Sequence, residues 1–88
     1  MKLKDGFVLR EVAGSWVVLP TGEATVDFNG MLSLNDCGAL LWRALENGAD
    51  KQDLIHTLLE EYEVEASLAE ADVTAFIDKL SAACCLED

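Results

Sequence analysis

The residues of this 88-residue sequence that could do chemistry are three cysteines, one histidine and seventeen acids. Cys37, Cys84 and Cys85 could hold zinc together with His56, but no Cys-x₂₋₄-Cys pair supplies two ligands from one turn. Adjacent cysteines also fit ordinary disulfide geometry poorly. We therefore predict no metal site and interpret the thiols as reduced, small side chains.

No catalytic constellation accompanies these groups. The sequence lacks G-x-S-x-G, a Walker loop and G-x-G-x-x-G, and its one histidine, His56, falls on the polar face of a predicted helix. An enzyme needs a nucleophile or base beside partners that tune it. The sequence thus predicts a chain that is not an enzyme and that uses no cofactor.

The charge is strongly negative and unevenly spread. The formal net charge is −11, and residues 44–88 contain twelve acids against Lys51 and Lys79. An excess of acids disfavours binding to a phosphate backbone, so nucleic acid is not an expected partner. No apolar run approaches the ~18 residues that cross a bilayer, and the N-terminus lacks the core of a signal peptide. We expect no membrane association and a cytoplasmic location.

The first third of the chain has the pattern of β-strands. Residues 7–12 and 16–19 are β-branched or aromatic runs joined by Ala13-Gly14-Ser15, which predicts a hairpin. After a break at Pro20-Thr21-Gly22, residues 24–28 alternate between apolar and polar types and predict a third, half-buried strand.

Three helices are predicted after the strands. Helical spacing begins at Ser33, with Ser33 or Asn35 as the N-cap and Asn47-Gly48 as the stop. A second helix opens at Asp50, and a third opens with a Ser67–Glu70 capping box. The apolar stripes of the second and third helices are Leu54, Ile55, Leu58, Leu59 and Tyr62, and Val73, Phe76, Ile77, Leu80 and Cys84.

The order βββααα predicts one α+β domain over residues 1–88, a three-stranded antiparallel sheet followed by three helices, similar in shape to a winged helix-turn-helix. A DNA-binding protein of that shape carries Arg or Lys on its last helix. The last predicted helix of this sequence has Lys79 among Glu70, Asp72 and Asp78. An acyl carrier role is disfavoured because no serine follows an aspartate.

Four segments in this order resemble the PqqD-like proteins: residues 17–22 (VVLPTG), 34–42 (LNDCGALLW), 58–64 and 72–80. That family comprises peptide chaperones of pyrroloquinoline quinone synthesis and, more widely, recognition elements for ribosomally made precursor peptides. The resemblance implies binding rather than catalysis. The leader segment of a precursor would add as a strand to the edge of the third strand, against the third helix, and be presented to a radical SAM or other peptide-modifying enzyme.

Carried onto this sequence, the resemblance implies two groups of peptide-binding residues. The edge strand would be Ala24, Thr25, Val26, Asp27 and Phe28, and the third helix would present Asp72, Val73, Ala75, Phe76 and Lys79. Apolar members of both groups also fit a plain core role. The exposed charges of Asp27, Asp72 and Lys79 are the better indicators of partner choice.

Two interpretations stay open from the sequence. The chain could instead be a non-catalytic adaptor that docks a protein through its acidic helical half. The pathway is also open, because the resemblance does not separate quinone synthesis from another peptide product. Where such proteins often have a glycine-rich turn, Cys84-Cys85-Leu86 stands here.

Overall fold

The fold follows the predicted order of strands and helices. A computed structural model describes residues 1–22 and 32–87. Its strands are β1 (Phe7–Val12), β2 (Ser15–Pro20) and β3 (Leu32–Leu34), and its helices are α1 (Asp36–Glu46), α2 (Lys51–Glu61) and α3 (Ala66–Ala82). The predicted α+β class, with an antiparallel sheet before three helices, is confirmed. The strand predicted at 24–28 lies outside the described residues.

A tight two-residue turn joins β1 to β2. Ala13 and Gly14 both have positive φ, +52° and +82°, and Val12 pairs with Ser15 across the turn. Such a turn matches the right-handed twist of the strands. The closing pair of a two-residue hairpin exchanges both backbone hydrogen bonds, and the pattern then alternates. Leu9 therefore directs its N–H and C=O away from β2.

The same alternation sets the direction of the β3 backbone. In the antiparallel pairing of β2 with β3, Trp16 lies opposite Leu34 and Val17 opposite Ser33. Since Val17 bonds to β1, the Trp16–Leu34 pair carries the bonds between β2 and β3. Ser33 consequently directs its N–H and C=O to the outer edge of the sheet.

Helix α1 begins at Asp36, and of the two N-caps that the sequence predicted, Ser33 and Asn35, the structure uses Asn35. The Asn35 side chain is the N-cap and accepts a hydrogen bond from the Gly38 amide at 2.7 Å. Ser33 and Leu34, predicted as helical, belong to β3. The cap residue has extended backbone, so the chain before it leaves the helix and can pair with β2. Gly48, with φ of +81°, follows the helix as predicted.

The sequence predicts the start of α2 correctly but not the start of α3. Asp50 caps α2 as predicted, in a reciprocal capping box with Asp53. The Ser67–Glu70 box predicted for α3 is wrong: the N-cap is Glu65, which makes no side-chain cap bond. Its carbonyl accepts from the Leu68 and Ala69 amides, so Ser67 already lies in the first turn, where its hydroxyl cannot cap.

The core lies between one face of the sheet and the helices. Phe7 meets Trp42 edge to face, with ring centroids 6.5 Å apart. Of the predicted α2 stripe, Leu54, Ile55 and Leu58 are buried, whereas Leu59 and Tyr62 are exposed. The largest fully buried side chains are Trp42, Leu41, Leu45, Leu54, Leu58, Leu80, Val18, Val73 and Cys85.

The end of α3 is closed by a Schellman motif without glycine. The Cys85 amide donates to the Leu80 carbonyl and the Cys84 amide to the Ser81 carbonyl, while Cys84 has φ of +59°. This reversal exposes Cys84, which the sequence had placed on the apolar stripe, and buries Cys85 instead.

The first and last described residues meet. Leu3 forms an antiparallel bridge with Leu86, the Lys4 amide donates to the Cys85 carbonyl at 2.8 Å, and the Glu87 amide donates to the Lys2 carbonyl at 3.0 Å. These bonds hold the N-terminal segment against the end of α3. No helix in residues 1–22 or 32–87 has the length and apolar character to cross a membrane.

Candidate functional site

A cleft of about 500 Å³ opens between the edge strand and the last helix. We call it the β3–α3 cleft. It is bounded by the end of β3, the first turns of α1 and one face of α3. Its lining residues are Ser33, Leu34, Asn35, Cys37, Gly38, Leu41, Asp72, Ala75, Phe76 and Lys79.

Close packing of α1 on β3 shapes one wall of the cleft. A Cβ added at Gly38 would lie 3.2 Å from both Leu34 Cβ and Asn35 Oδ1. Both neighbours are constrained, since Leu34 Cβ is fixed to the strand and Asn35 Oδ1 holds the N-cap bond. The absence of a side chain at Gly38 therefore lets the helix start approach the strand.

The backbone of the edge strand is contacted from α3. Lys79 Nζ donates a hydrogen bond to the Ser33 carbonyl oxygen at 2.6 Å. Because Ser33 directs both backbone groups outward, this oxygen is a hydrogen-bond acceptor at the edge of the sheet. The Ser33 N–H points to the same side, so donor and acceptor are presented together at the mouth of the cleft.

The interior of the cleft is apolar and its rim is charged. Leu34, Leu41 and Phe76 are buried, with 7%, 1% and 6% of their surfaces exposed. Asp72 and Lys79 are exposed and lie seven residues apart on α3, which is two helical turns or about 10 Å. An extended segment in the cleft would therefore meet a negative charge toward one end and a positive charge toward the other.

A phenol lies beside the start of α1. A hydrogen bond with the Cys37 side chain raises the pKa of Tyr62 above its ordinary value of 10.0, and desolvation and the neighbouring charges of Cys37, Asp36 and Glu61 raise it further. Tyr62 therefore stays protonated at neutral pH. Cys37 lines the cleft, so this pair connects the cleft with the end of α2.

The structure brings most of the predicted helix residues together. Asp72, Ala75, Phe76 and Lys79 line the cleft, whereas Val73 is fully buried in the core and does not line it. The predicted strand residues Ala24, Thr25, Val26, Asp27 and Phe28 lie outside the described residues.

Sequence reasoning missed the lining residues from Ser33 to Leu41, because it placed the edge strand at residues 24–28 and did not predict a strand at Leu32–Leu34. The alternation Leu32-Ser33-Leu34 before an Asn-Asp cap was the available signal, but three residues are few for a strand. In the described part of the chain, no three His, Cys, Asp or Glu side chains converge to hold a metal ion.

Comparison with known proteins decides the family. The family model described as coenzyme PQQ synthesis protein D matches residues 15–86, well over half of the sequence. The chain belongs to the PqqD family. The matched residues of this PqqD-family chain include β2, β3 and all three helices, and so the whole β3–α3 cleft. No curated protein sequence matches the chain.

Two solved structures share the fold of this PqqD-family chain. TbiB1, solved in complex with the TbiA(beta) leader peptide, is 24% identical with a TM-score of 0.77, over 99% of this chain and 95% of TbiB1. Lasso peptide synthetase B1, complexed with the leader peptide, is 27% identical with a TM-score of 0.70, over 92% of this chain and 89% of the synthetase chain.

Proposed function

We propose that this chain binds the leader segment of a ribosomally made precursor peptide as an added strand along β3, in the β3–α3 cleft. The observation that carries the proposal is the Ser33 backbone, which presents a donor and an acceptor at the sheet edge beside an apolar cleft. Family membership supports it, as do two similar folds that were each solved with a leader peptide.

Strand addition supplies affinity without sequence readout. An incoming strand donates an N–H to the Ser33 carbonyl and accepts from the Ser33 N–H. Lys79 already donates to that carbonyl, but a carbonyl oxygen has two lone pairs, so the ammonium and a peptide amide can share it. The Lys79 side chain then lies against the added strand and helps to hold it on α3.

Selection among peptides comes from side chains. Alternate residues of an added strand point toward the cleft, where an apolar side chain contacts Leu34, Leu41 and Phe76. Asp72 and Lys79 attract opposite charges, so they set the direction and register in which a peptide lies. Once it has bound a leader peptide, this chain is expected to present that peptide to a modifying enzyme, which is a radical SAM protein or another peptide-modifying enzyme. The product would be pyrroloquinoline quinone or a related peptide-derived compound. This role requires binding and presentation, and no catalytic step by this chain.

The test is an NMR titration with the leader peptide encoded beside this chain. Amide shifts are expected at Ser33, Asn35, Gly38 and Ala75. The variant Ala75→Arg, which places a long side chain in the cleft, is expected to weaken binding at least about tenfold. Ala71→Arg is the matched control, because Ala71 is exposed on α3 but does not line the cleft, and it should bind like the unmodified chain.

Two results would contradict the proposal. One is a response confined to residues 50–65, which would favour an adaptor that docks through the acidic helical half. The other is equal weakening by Ala71→Arg and Ala75→Arg, which would place the contact elsewhere on α3. Circular dichroism of both variants keeps loss of folding apart from loss of binding.

A further inference from the structure

A second groove lies at the opposite edge of the sheet. It has a volume of about 530 Å³ and is lined by residues 3–10 together with Trp42, Arg43 and Glu46 of α1. We call it the β1–α1 groove. The strand order β1-β2-β3 makes β1 the other edge strand of this sheet, so this groove and the β3–α3 cleft lie on opposite sides of the domain.

Backbone groups of β1 face away from the rest of the sheet. Arg10 pairs with Val17 in the hydrogen-bonded register that starts at the Ala13-Gly14 turn, so the intervening Leu9 directs its N–H and C=O outward. Leu9 also lines the groove. This edge therefore has the geometry that accepts an added strand.

The charge of this groove is opposite to that of the chain. Lys4, Arg10 and Arg43 line it, which is half of the six basic residues in a chain of net charge −11. Of the acids in residues 1–22 and 32–87, Asp5 and Glu46 line it. In residues 1–22 and 32–87 the ion pair within 4.0 Å joins Lys51 to Glu70, so none of the carboxylates in these two ranges lies within 4.0 Å of the three cations of the groove.

One of these cations is held in position. The Arg43 guanidinium lies over the Trp16 ring, 4.9 Å from its centroid, and the Trp16 Nε1–H donates to Asp36 Oδ1 at 3.1 Å. Stacking on an aromatic face fixes the plane of a guanidinium while its N–H donors remain available for a carboxylate.

We propose that the β1–α1 groove docks an extended, acidic segment of a second protein as a strand added to β1. On the face of the sheet that packs on α1, carboxylates of that segment would meet Arg43, and on the other face they would meet Arg10, since side chains alternate along β1. Its backbone bonds to Leu9, and Lys4 supplies a further positive charge in the groove. A second copy of this chain fits poorly, because each copy has a net charge of −11 and edge-to-edge pairing would bring like cations together. The same net charge disfavours nucleic acid.

Both edges can be occupied together. A strand added to β1 and a strand added to β3 are separated by four strand spacings, about 19 Å at 4.8 Å each. A partner protein held at β1 therefore need not compete with a peptide held at β3.

The probe is the synthetic peptide Ac-EVEVEVE-NH₂, with Ac-KVKVKVK-NH₂ as its charge-reversed counterpart. We expect the acidic peptide to shift the amides of Leu9 and Arg43 with saturation, and its affinity to fall at least about fivefold between 50 and 300 mM salt. The basic peptide should leave these amides unchanged. Arg43→Glu should weaken the acidic peptide at least about tenfold, and Arg43→Gln should weaken it less.

Lys51→Glu is the matched control, because it makes the same change of net charge outside the groove. The affinity of this variant for the acidic peptide should stay within about twofold of that of the unmodified chain. Equal weakening by Lys51→Glu and Arg43→Glu would overturn the proposal. So would the absence of saturable binding, or shifts at Ser33 and Ala75 without shifts at Leu9. A concentration-dependent dimer in sedimentation that the acidic peptide does not dissociate would also overturn it, by showing a second copy on this edge.

Discussion

Lys79 of α3 and Ser33 of β3 are joined by a hydrogen bond of 2.6 Å from the ammonium group to the backbone carbonyl. The bond connects two residues 46 positions apart in the sequence and fixes the distance between the edge strand and the last helix. These two elements form the walls of the β3–α3 cleft. The width of the cleft therefore depends on a contact made at its rim as well as on the buried core.

Removing the ammonium group of Lys79 should loosen this contact. Lys79→Met keeps most of the side-chain length and is expected to lower the free energy of unfolding by about 0.5–1 kcal/mol, the usual range for one exposed hydrogen bond. Urea denaturation measures the change. Lys51→Met, which removes a long exposed ion pair to Glu70, should change stability by less than about 0.5 kcal/mol. An unchanged midpoint for Lys79→Met would show that the bond contributes nothing in solution.

The charges of Asp72 and Lys79 should determine peptide orientation. Of two model peptides with the same apolar centre but exchanged terminal Glu and Lys, the unmodified chain should bind one at least about fivefold more tightly. Exchanging the two charges by Asp72→Lys with Lys79→Glu should reverse this preference in calorimetric titration. The control exchange, Lys51→Glu with Glu70→Lys, lies outside the cleft and should preserve it. Equal affinities in every variant would exclude an orienting role.

Gly38→Ala should destabilise the start of α1 although alanine favours helices by about 1 kcal/mol. The new Cβ would crowd Leu34 Cβ and the Asn35 Oδ1 that caps the helix. We expect a net loss of about 1 kcal/mol in thermal denaturation, with weaker leader binding. Combining Gly38→Ala with Leu34→Ala should recover the crowding part of the loss. A gain in stability for the single variant would show that β3 moves away from the new Cβ at little cost in free energy.

Cys84→Gly should stabilise the protein. Cys84 has φ of +59° at the Schellman position that glycine usually occupies, and a side chain there is disfavoured by about 1 kcal/mol. The urea midpoint should rise by the equivalent of about 0.5–1 kcal/mol. Cys84→Ala removes the same thiol but keeps the strained backbone, so it should give no gain. Similar midpoints for the two variants would contradict the explanation.

Cys85 should make stability fall at high pH. Burial, and then the charge of Cys84, raises the pKa of Cys85 from 9.0 to about 11, with Lys4 opposing the shift. Above pH 9 the unfolded thiol loses its proton while the folded thiol keeps it, so the unfolded state binds fewer protons and stability decreases until about pH 11. The loss is on the order of 2 kcal/mol.

The Cys85→Ala variant isolates this contribution, because tyrosine and lysine groups titrate over the same range in both proteins. Its stability, measured by urea denaturation at pH 8 and pH 11, should fall less than that of the unmodified chain. Parallel decreases in the two proteins would mean that Cys85 ionises normally in the fold.

The sequence predicted those features that local chemistry determines. The Ala13-Gly14 turn, the Asp50 cap and the Gly48 stop each require particular residue types, and each stands where it was expected. The start of α3 could not be predicted in this way. Ser67 matches a capping pattern, but the Glu65 carbonyl already accepts the first backbone hydrogen bonds of the helix. Local patterns do not reveal which of two competing starts the packed helix uses.

Most of the cleft depends on contacts between distant segments. Lys79 and Asp72 were recognised from the family resemblance, but Ser33 became part of the site through pairing with β2 and contact with α3. Nothing in a three-residue strand signals its direction of hydrogen bonding. The register derives instead from the hairpin turn twenty residues earlier, which sets the alternation across the sheet.

The bridge between Leu3 and Leu86 has a topological consequence. The two ends of the described chain lie side by side on one surface, so the polypeptide enters and leaves the fold at neighbouring positions. A surface loop of a larger protein could therefore accept the whole domain as an insert with little separation between its flanks. By the same geometry, a circular permutant opened at Ala13-Gly14 would need only a short linker to reconnect the original termini.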